Sequence, residues 1–361
     1  MTLTSEIFND INEKEWDEQL LKNNISSVYQ SYNWARLYKE VFNSKPIFIL
    51  IKDSSKKIIG QLLAFIHNDY YWINANPFFR KIGTKLNLGS IILWWHGPII
   101  HDTSNQANIS KEIILALHNI AQKNQIMMIR GASSPLSRQL DEKLFKSNGF
   151  KIQPWGTYVI DLQQSIDTLY KKLNKKIRYD IRKGEKNKLE FEVSDDKKTL
   201  DDYIELKHKE RERTGQKTTR IPLYNEKYWN YLHNNGYLKL FVTRYNNQLV
   251  GGILGITFNG NIIQHGVLNL RNDLSAGPFL TWNALKWSIQ NNYRTFDMGG
   301  FNPFPESEKE KAIDFFKAKW CGDELDYNLY TKVLDKTKFS LSTVLLHPKR
   351  ASKKLSKLIL K

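Results

Sequence analysis

Two apolar stretches in the two halves of the chain predict the same order of elements. In the first half, 47-IFILIKDSSKKIIGQLLAFI-66 predicts a strand, a polar turn and a second strand. In the second half, 238-LKLFVTRYNNQLVGGILGITF-258 predicts the same hairpin, and aligning the second strands sets Gly60 opposite Gly251. A repeat of about 190 residues is too long for a solenoid, so the pattern indicates a duplicated domain.

The segments after each hairpin repeat as well. The first hairpin precedes an apolar strand at 90–100, a helix with Ile113, Leu117 and Ile120 on one face, and a strand at 126–130. The second precedes a strand at 261–270, a helix with Leu280, Ala284 and Trp287 on one face, and a strand at 295–299. Further helices are predicted ahead of the hairpins, at 13–21, 32–42, 166–183, 200–213 and 224–234.

This order predicts an α/β fold with two tandem domains, each a mostly antiparallel mixed sheet flanked by helices. We expect the first domain at 1–160 and the second at 161–325, with Ser165 capping the helix after the boundary. Residues 326–361 are predicted to be a C-terminal strand and basic tail that packs back on the first domain.

Composition adds limits to this picture. The 361 residues are 41% hydrophobic and 25% charged, as in ordinary globular proteins. The acidic N-terminal residues and the lack of a long apolar run lead us to expect a cytoplasmic protein. A single cysteine, Cys321, excludes an internal disulfide, and the nearest histidine cluster, 96-HGPIIHD-102, matches no standard ligand spacing, so we predict no metal site.

Charge points to a polyanionic partner. The net charge is +17, and two segments concentrate the excess. Nine bases and two acids lie between Lys171 and Lys188, and six bases and no acid lie between Lys349 and Lys361. Nucleic acid, an anionic membrane surface or a phosphorylated substrate would each fit this excess.

Several short motifs, taken in order, resemble those of the Fem family of peptidoglycan-bridge aminoacyltransferases. They are 30-QSYNWARLYKE-40, 97-GPIIHD-102, 175-KKIRYDIRKGEK-186, 220-RIPLY-224, 296-FDMGG-300 and 313-IDFFKAKWCG-322. The resemblance runs over most of the chain and implies two tandem GNAT-like domains. It also implies transfer of an amino acid from aminoacyl-tRNA to an amine of a nucleotide- or lipid-linked cell-wall peptide precursor, without a cofactor.

The chain departs from the family in two places. Only short helices are predicted between Lys197 and Asn235, where some members carry a long helical arm that helps engage tRNA. His265 stands on the central strand where members often carry a tyrosine. Both departures bear on the identity of the donor and the acceptor.

Aminoacyl transfer from an ester to an amine sets simple chemical demands. The amine must arrive unprotonated, and the developing oxyanion must be stabilised. No nucleophilic serine or cysteine is required, and the sequence has no Gly-x-Ser-x-Gly elbow.

Lys317 is the first candidate for a catalytic residue. The resemblance implies that its ammonium lies in the substrate channel, where it stabilises the oxyanion or holds the acceptor, with Phe316 in the channel wall. The fragment alone also fits a solvated lysine beside a core phenylalanine. We predict the channel arrangement.

The other candidates rest on weaker signals. Arg220 and Tyr224, four residues apart, suit phosphate or carboxylate groups of a precursor, and a helix-start arginine with an interface tyrosine is the alternative. Lys39 is similar to a family lysine that contacts the precursor's phosphates. Asp102 would orient the acceptor or accept its proton as a second catalytic residue, or would simply cap the turn that follows.

Two strand residues have competing interpretations. His265 is a candidate substrate-binding residue, although a lone strand histidine is more often a packing residue. Asp297 is interpreted as a turn-forming carboxylate before the glycine pair Gly299 and Gly300.

The Lys171 to Lys188 run is the candidate tRNA contact, and a solvated helix face is the alternative. The predicted contacts are Lys175, Lys176, Arg178, Arg182 and Lys183. The basic tail at 349–361 would lie on an anionic membrane at the inner face, or would be a solubilising terminus.

Two other functions stay open. One is an acyl-CoA-dependent N-acyltransferase of the same fold that modifies a sugar or polysaccharide precursor. The expected pyrophosphate loop reads 271-RNDLSAGPFL-280, in which Pro278 removes one backbone donor, and this counts against CoA. The other is a non-enzymatic RNA- or membrane-binding protein.

Overall fold

The computed structural model describes residues 3–22, 24–68, 81, 85–137, 140–213, 226–270 and 272–346. Its strands, in chain order, are β1 (Thr4–Phe8), β2 (Lys45–Lys52), β3 (Ile58–Asn68), β4 (Ser90–Trp94), β5 (Ile99–Ile100), β6 (Met128–Ala132), β7 (Lys151–Asp161), β8 (Glu190–Ser194), β9 (Leu238–Tyr245), β10 (Gln248–Phe258), β11 (Asn261–Asn269), β12 (Thr295–Phe301) and β13 (Asp323–Val333).

The helices, in chain order, are α1 (Glu13–Leu21), α2 (Tyr32–Phe42), α3 (Gln106–Lys123), α4 (Glu142–Ser147), α5 (Ile166–Lys172), α6 (Lys175–Lys186), α7 (Lys197–Arg213), α8 (Glu226–Asn234), α9 (Ala276–Gln290), α10 (Glu308–Ala318) and α11 (Lys336–Leu346).

The chain folds into two compact units. Unit 1 contains residues 1–153 and 328–361, and unit 2 contains residues 154–327. In unit 1 the strand order is β1-β2-β3-β4-β6-β13, with β4 and β6 parallel and the other neighbours antiparallel. In unit 2 the order is β7-β12-β11-β10-β9-β8, with β11 and β12 parallel and the others antiparallel. Each parallel pair is joined by a helix, α3 or α9, as a crossover requires. The predicted α/β class with mostly antiparallel mixed sheets is confirmed.

Each unit completes its sheet with a strand from the other half of the sequence. β7 follows the first-half elements but pairs with β12, and β13 follows the second-half elements but pairs with β6. The predicted boundary at 160 is therefore wrong by several residues, because residues 156–161 form ladder pairs with β12 in unit 2. Residues 328–346 group with unit 1, and the tail at 347–361 lies outside the described residues.

The two hairpins are alike in detail. The β2/β3 pairing shifts register between Ile51 and Lys52, and the β9/β10 pairing shifts between Leu249 and Gly251. The residues skipped are Ile59 and Val250, which the sequence alignment sets opposite each other. A bulge at the same place in both hairpins supports a duplicated domain, because bulges are specific local features.

Polar caps begin several of the helices. The side chains of Asn12, Ser31 and Ser165 accept hydrogen bonds from the first turns of α1, α2 and α5, so the predicted Ser165 cap is confirmed. The single helix predicted at 166–183 is wrong. The chain leaves the helical conformation at Leu173, and the Asn174 side chain accepts from the Lys176 N–H to begin α6.

Each unit has its own apolar core. In unit 1, one face of α3 (Ile113, Leu117 and Ile120) packs with β2, β3 and β4 residues and with Tyr330 of β13. In unit 2, Leu280 and Ala284 of α9 pack with Ile160 and with the fully buried Trp320. The predicted apolar faces of both crossover helices are confirmed.

Candidate active site

The parallel strands β11 and β12 separate partway along their length. Their registered pairs run only from Asn261 with Thr295 to Ile263 with Asp297. Beyond that point β11 holds a bulge, since Leu254 pairs with Gly266 but Gly255 pairs with Gln264, which leaves His265 as the extra residue. A bulge bends its strand and redirects a side chain, so the space between β11 and β12 beyond their last registered pair is a candidate binding site.

A cavity of about 570 Å³ occupies this part of unit 2. Its volume is in the range of small-molecule sites. The described residues that line it come from β11, β12, α9 and α10: Gln264, His265, Gly266, Val267, Asn269, Gly277, Leu280, Thr281, Met298, Gly299, Gly300, Lys309, Ala312, Ile313, Phe316 and Lys317. Three residues predicted from the sequence, Lys317, Phe316 and His265, therefore share one cavity.

Helix α10 has an unusual distribution of side chains. Its one buried residue is Lys317, whereas Ile313 and Phe316 are 40% and 37% exposed. Both apolar residues lie on the stripe with Ala312 that lines the cavity. The apolar face of α10 thus forms an open wall, and Phe316 also contacts the Trp320 ring edge to face, with 6.0 Å between centroids.

The Lys317 ammonium is held by backbone carbonyls. Its Nζ donates to the Gly299 oxygen at 2.6 Å and to the Gly300 oxygen at 2.9 Å. Burial lowers the pKa of Lys317 to about 8, and the charges of Asp297 and Asp314 oppose part of that effect. At pH 7 the group is mainly a cation with a third N–H available for a ligand.

Asp297 lies two residues before Gly299 on β12. Its Oδ1 accepts from the Thr157 hydroxyl and from the Gly299 N–H, the latter at 2.8 Å. Burial raises the pKa of the carboxyl, and the hydrogen bonds and the Lys317 charge counteract it. The interpretation of Asp297 as a turn-forming carboxylate missed the hydroxyl contact. Thr157 is 140 residues away in sequence, so no local signal points to it.

His265 is a neutral polar group in the cavity wall. Its Nε2 lies 3.1 Å from the Tyr228 hydroxyl, and the Trp229 ring contacts the imidazole edge to face. Burial lowers the pKa of His265 to about 4, so the imidazole is uncharged at pH 7. A neutral imidazole carries one N–H donor and one acceptor nitrogen.

The remaining predicted substrate residues do not line this cavity. Arg220 and Tyr224 lie outside the described residues. Lys39 is exposed in the last turn of α2, in unit 1. Asp102 also lies in unit 1, where it caps the short turn Thr103–Asn105; hydrogen bonds from Ser104 and Asn105 lower its pKa. This is the capping arrangement that the sequence offered as the alternative to an acid–base role.

The predicted tRNA contacts lie on α6. Lys175, Lys176 and Arg182 are exposed, and Arg178 and Lys183 are partly buried. The opposite face is anchored by the buried residues Ile177, Ile181 and Gly184, and a Cβ added to Gly184 would lie 2.7 Å from the Phe279 Cβ of α9.

The C-terminal end of α6 is also fixed to the start of α9. The Asn187 side chain donates to the Leu274 carbonyl at 3.1 Å. Gly277 in the first turn of α9 lines the cavity, so the basic helix is joined directly to an element of the cavity wall.

Comparison with known proteins agrees with the fold. The acetyltransferase (GNAT) domain family matches residues 171–311. A search of curated protein sequences found no significant match. Among solved structures, FemX superimposes with a TM-score of 0.70 at 15% identity, covering 93% of this chain and 99% of that one.

Two further solved structures have the same arrangement. The C-terminal domain of a putative lysylphosphatidylglycerol synthetase from Agrobacterium fabrum gives a TM-score of 0.56 at 12% identity, covering 92% of this chain and 96% of that one. A tandem GNAT protein from the clavulanic acid biosynthesis pathway gives 0.53 at 11% identity, covering 92% and 98%. The chain therefore has two tandem GNAT-like domains, and the predicted resemblance to the Fem family is confirmed at the level of the fold. The match to an acetyltransferase domain supports the assignment of the protein as a transferase.

None of the described helices combines the length and the apolar content that a bilayer crossing requires.

Proposed function

We propose that the protein transfers an amino acid from aminoacyl-tRNA to an amine of a cell-wall peptide precursor. The observation that carries this proposal is the Lys317 ammonium, which is nearly buried in the wall of an open cavity and bound there by two carbonyls. A cation in such a place can bind the oxyanion that forms when an amine attacks an ester. The resemblance to the Fem family supplies the classes of donor and acceptor.

The ionisable groups of the cavity suit that chemistry. Among the described lining residues these groups are Lys309, Lys317 and His265, and none is a carboxylate. A developing negative charge is favoured in such a site, whereas a protonated amine is repelled by the two lysines. The same electrostatics helps deliver the acceptor amine in its neutral, nucleophilic form.

Exposed bases on the same unit support a contact with the polyanionic backbone of the donor. The exposed bases of α6 offer phosphate contacts, and the Asn187 side chain at the end of α6 donates to the carbonyl of Leu274, just before α9 begins. Binding through such contacts releases counterions, so donor use is expected to weaken as salt rises. Asp102, Lys39, Arg220 and Tyr224 are kept as proposed acceptor-side residues, and the basic tail as a proposed contact with anionic lipid.

An acyl-CoA donor is the second candidate, and the matched acetyltransferase domain favours it. In this alternative the first turn of α9 would bind the pyrophosphate. Pro278 in that turn contributes no N–H, so the turn has one backbone donor fewer than a helix start without proline.

One experiment separates the two donors. Purified protein receives a nucleotide-linked stem peptide and, in separate reactions, a mixture of charged tRNAs or a set of acyl-CoAs. We expect transfer from charged tRNA, decreasing with salt. Transfer from acyl-CoA alone would refute the proposal, and binding of RNA without any transfer would favour the non-enzymatic alternative.

A further inference from the structure

The carbonyls that hold Lys317 belong to a bulge in β12. Asp297 pairs with Val159 and Gly300 pairs with Thr157, so Met298 and Gly299 together oppose the single residue Tyr158. Gly299 has φ +79°, in the left-handed region that glycine adopts without strain. The extra residue turns the backbone so that both the Gly299 and the Gly300 oxygens accept from the Lys317 Nζ.

The Asp297 carboxylate spans this bulge. The Gly299 N–H, inside the bulge, donates to Oδ1, and so does the hydroxyl of Thr157, the cross-strand partner of Gly300. One oxygen thus connects the residue in the left-handed conformation with the strand across from it. Asp297 is 7% exposed and Thr157 is 1% exposed, so little water is available to replace either bond.

We propose that Asp297 is a positioning residue for Lys317, which holds the β12 bulge in the shape that presents the Gly299 and Gly300 carbonyls to the ammonium. Asp297 acts through the backbone and does not contact the reacting atoms. The inference rests on the proposed catalytic role of Lys317. Helix α10 is largely exposed, and the β12 bulge is what holds the Lys317 side chain in one position.

The charged groups around Lys317 allow positioning by Asp297 to be distinguished from its electrostatic effect on the ammonium. Asp297 on β12 and Asp314 on α10 both favour the ammonium form electrostatically. Asp314 accepts from the hydroxyl of Tyr158, the residue opposite the bulge, whereas the Gly299 N–H and the Thr157 hydroxyl donate to Asp297. On β13, burial and the Asp297 charge raise the pKa of Tyr327, so that phenol stays neutral. Asp314→Asn therefore removes one nearby negative charge and leaves both Asp297 hydrogen bonds in place, whereas Thr157→Val removes one of those bonds and leaves both carboxylates in the chain.

The experiment uses Thr157→Val, Thr157→Ser, Asp297→Asn and Asp314→Asn in the full chain. The first readout is the pH dependence of Lys317 modification by an amine-reactive reagent, followed by mass spectrometry, which needs no substrate. The second is kcat and KM for transfer. Circular dichroism and thermal unfolding show which variants are folded, and because Val and Thr have nearly the same shape, Thr157→Val tests the proposal even if Asp297→Asn does not fold.

We expect Thr157→Val and Asp297→Asn to move the Lys317 modification midpoint to lower pH by roughly one unit. Transfer should lose roughly ten- to a hundredfold in kcat with KM nearly constant, as for a misplaced catalytic group. Thr157→Ser, which keeps the hydroxyl, should match the wild type in both readouts. Asp314→Asn should move the midpoint with a smaller loss of kcat.

An unchanged modification profile in folded Thr157→Val and Asp297→Asn would overturn the proposal. A loss of kcat in Thr157→Ser equal to that in Thr157→Val would do the same, since the hydroxyl would then be irrelevant. A profile that shifts in Thr157→Val but not in Thr157→Ser, in a protein that shows no transfer from any donor, would leave the positioning role in place and refute the proposed function instead.

Discussion

The Nζ of Lys317 and the carbonyl oxygen of Gly299 are 2.6 Å apart, and this contact ties α10 to β12 at the wall of the unit 2 cavity. Helix α10 buries this lysine and leaves Ile313 and Phe316 open to the cavity. The usual distribution of apolar and charged side chains is thus reversed on one helix. Such local inconsistency is expected at functional sites, where a binding requirement outweighs packing.

Replacing Gly299 by alanine should weaken both the fold and the site. The residue has φ +79°, and an added Cβ would lie 3.1 Å from the Gln264 carbonyl and 3.7 Å from the Lys317 Nζ. We expect the free energy of unfolding to fall by about 1–2 kcal/mol, the usual cost of the left-handed conformation, and transfer to slow. Urea denaturation and steady-state kinetics measure the two effects.

Gly236→Ala is the matched control, because Gly236 has φ +73° with nothing within 4 Å of an added Cβ. It should show a similar loss of stability and full transfer. Equal transfer rates in the two variants would mean that the Gly299 backbone is unimportant for the site.

Gly184→Ala should destabilise unit 2, although alanine is the better helix former. The added Cβ would lie 2.7 Å from the Phe279 Cβ, in the contact between α6 and α9. Overpacking costs about 1–3 kcal/mol, which exceeds the gain of about 1 kcal/mol in helix propensity. A raised melting temperature in a thermal scan would contradict this packing.

Removing two bases from α6 should weaken RNA binding and its salt dependence together. We expect Lys175→Gln with Arg182→Gln to reduce the slope of log affinity against log salt by about 1.4 to 1.8, the value for two phosphate contacts. Fluorescence anisotropy with charged tRNA measures this slope. The exposed pair Lys111 and Lys123 of α3 gives a control variant with the same loss of charge. Equal slopes in the two double variants would mean that α6 is only a solvated face.

Acid should destabilise the protein partly through His67. The side chain is 2% exposed, its Nδ1 lies 2.7 Å from the Ser44 hydroxyl oxygen, and burial lowers its pKa to about 3. As pH falls below the unfolded-state value of about 6.5, only the unfolded chain takes up this proton.

The free energy of unfolding should therefore fall by about 1.4 kcal/mol per pH unit from this residue alone. We measure the free energy of unfolding by urea denaturation between about pH 6 and pH 4.5. In His67→Asn, its decrease per pH unit should be smaller by that amount than in the wild type. Identical slopes in the variant and the wild type would contradict the buried neutral state.

The parts of the fold that could be predicted are those with local causes. Alternating apolar residues and polar turns predicted both hairpins, and the 3.6-residue period predicted α3 and α9. The return of a C-terminal strand to the first domain was predicted, but the passage of β7 into the second sheet was not, because strand pairing depends on which sheet edge a strand reaches. The break between α5 and α6 has a local cause, because the Asn174 side chain caps the start of α6. The prediction missed it because the lysines on both sides of Asn174 are compatible with one continuous helix.

The site was predictable only in part. The family resemblance indicates Lys317 and Phe316, and His265 is a candidate at a position where the chain departs from the family; all three line one cavity. Asp297 and Thr157 lie on two strands that are 140 residues apart in sequence, so no local sequence signal indicates their contact. Gln264 was missed as well; its side chain donates to the Met298 carbonyl at 3.2 Å where β11 and β12 separate.

The most direct test compares two lysines on the same helix. In single-turnover transfer from charged tRNA to the stem peptide, Lys317→Met should lose about 10²- to 10³-fold in rate, as when one oxyanion contact is removed. Lys311→Met should retain the wild-type rate, since Lys311 is exposed and paired with Glu308. A folded Lys317→Met protein that transfers as fast as Lys311→Met would contradict the account.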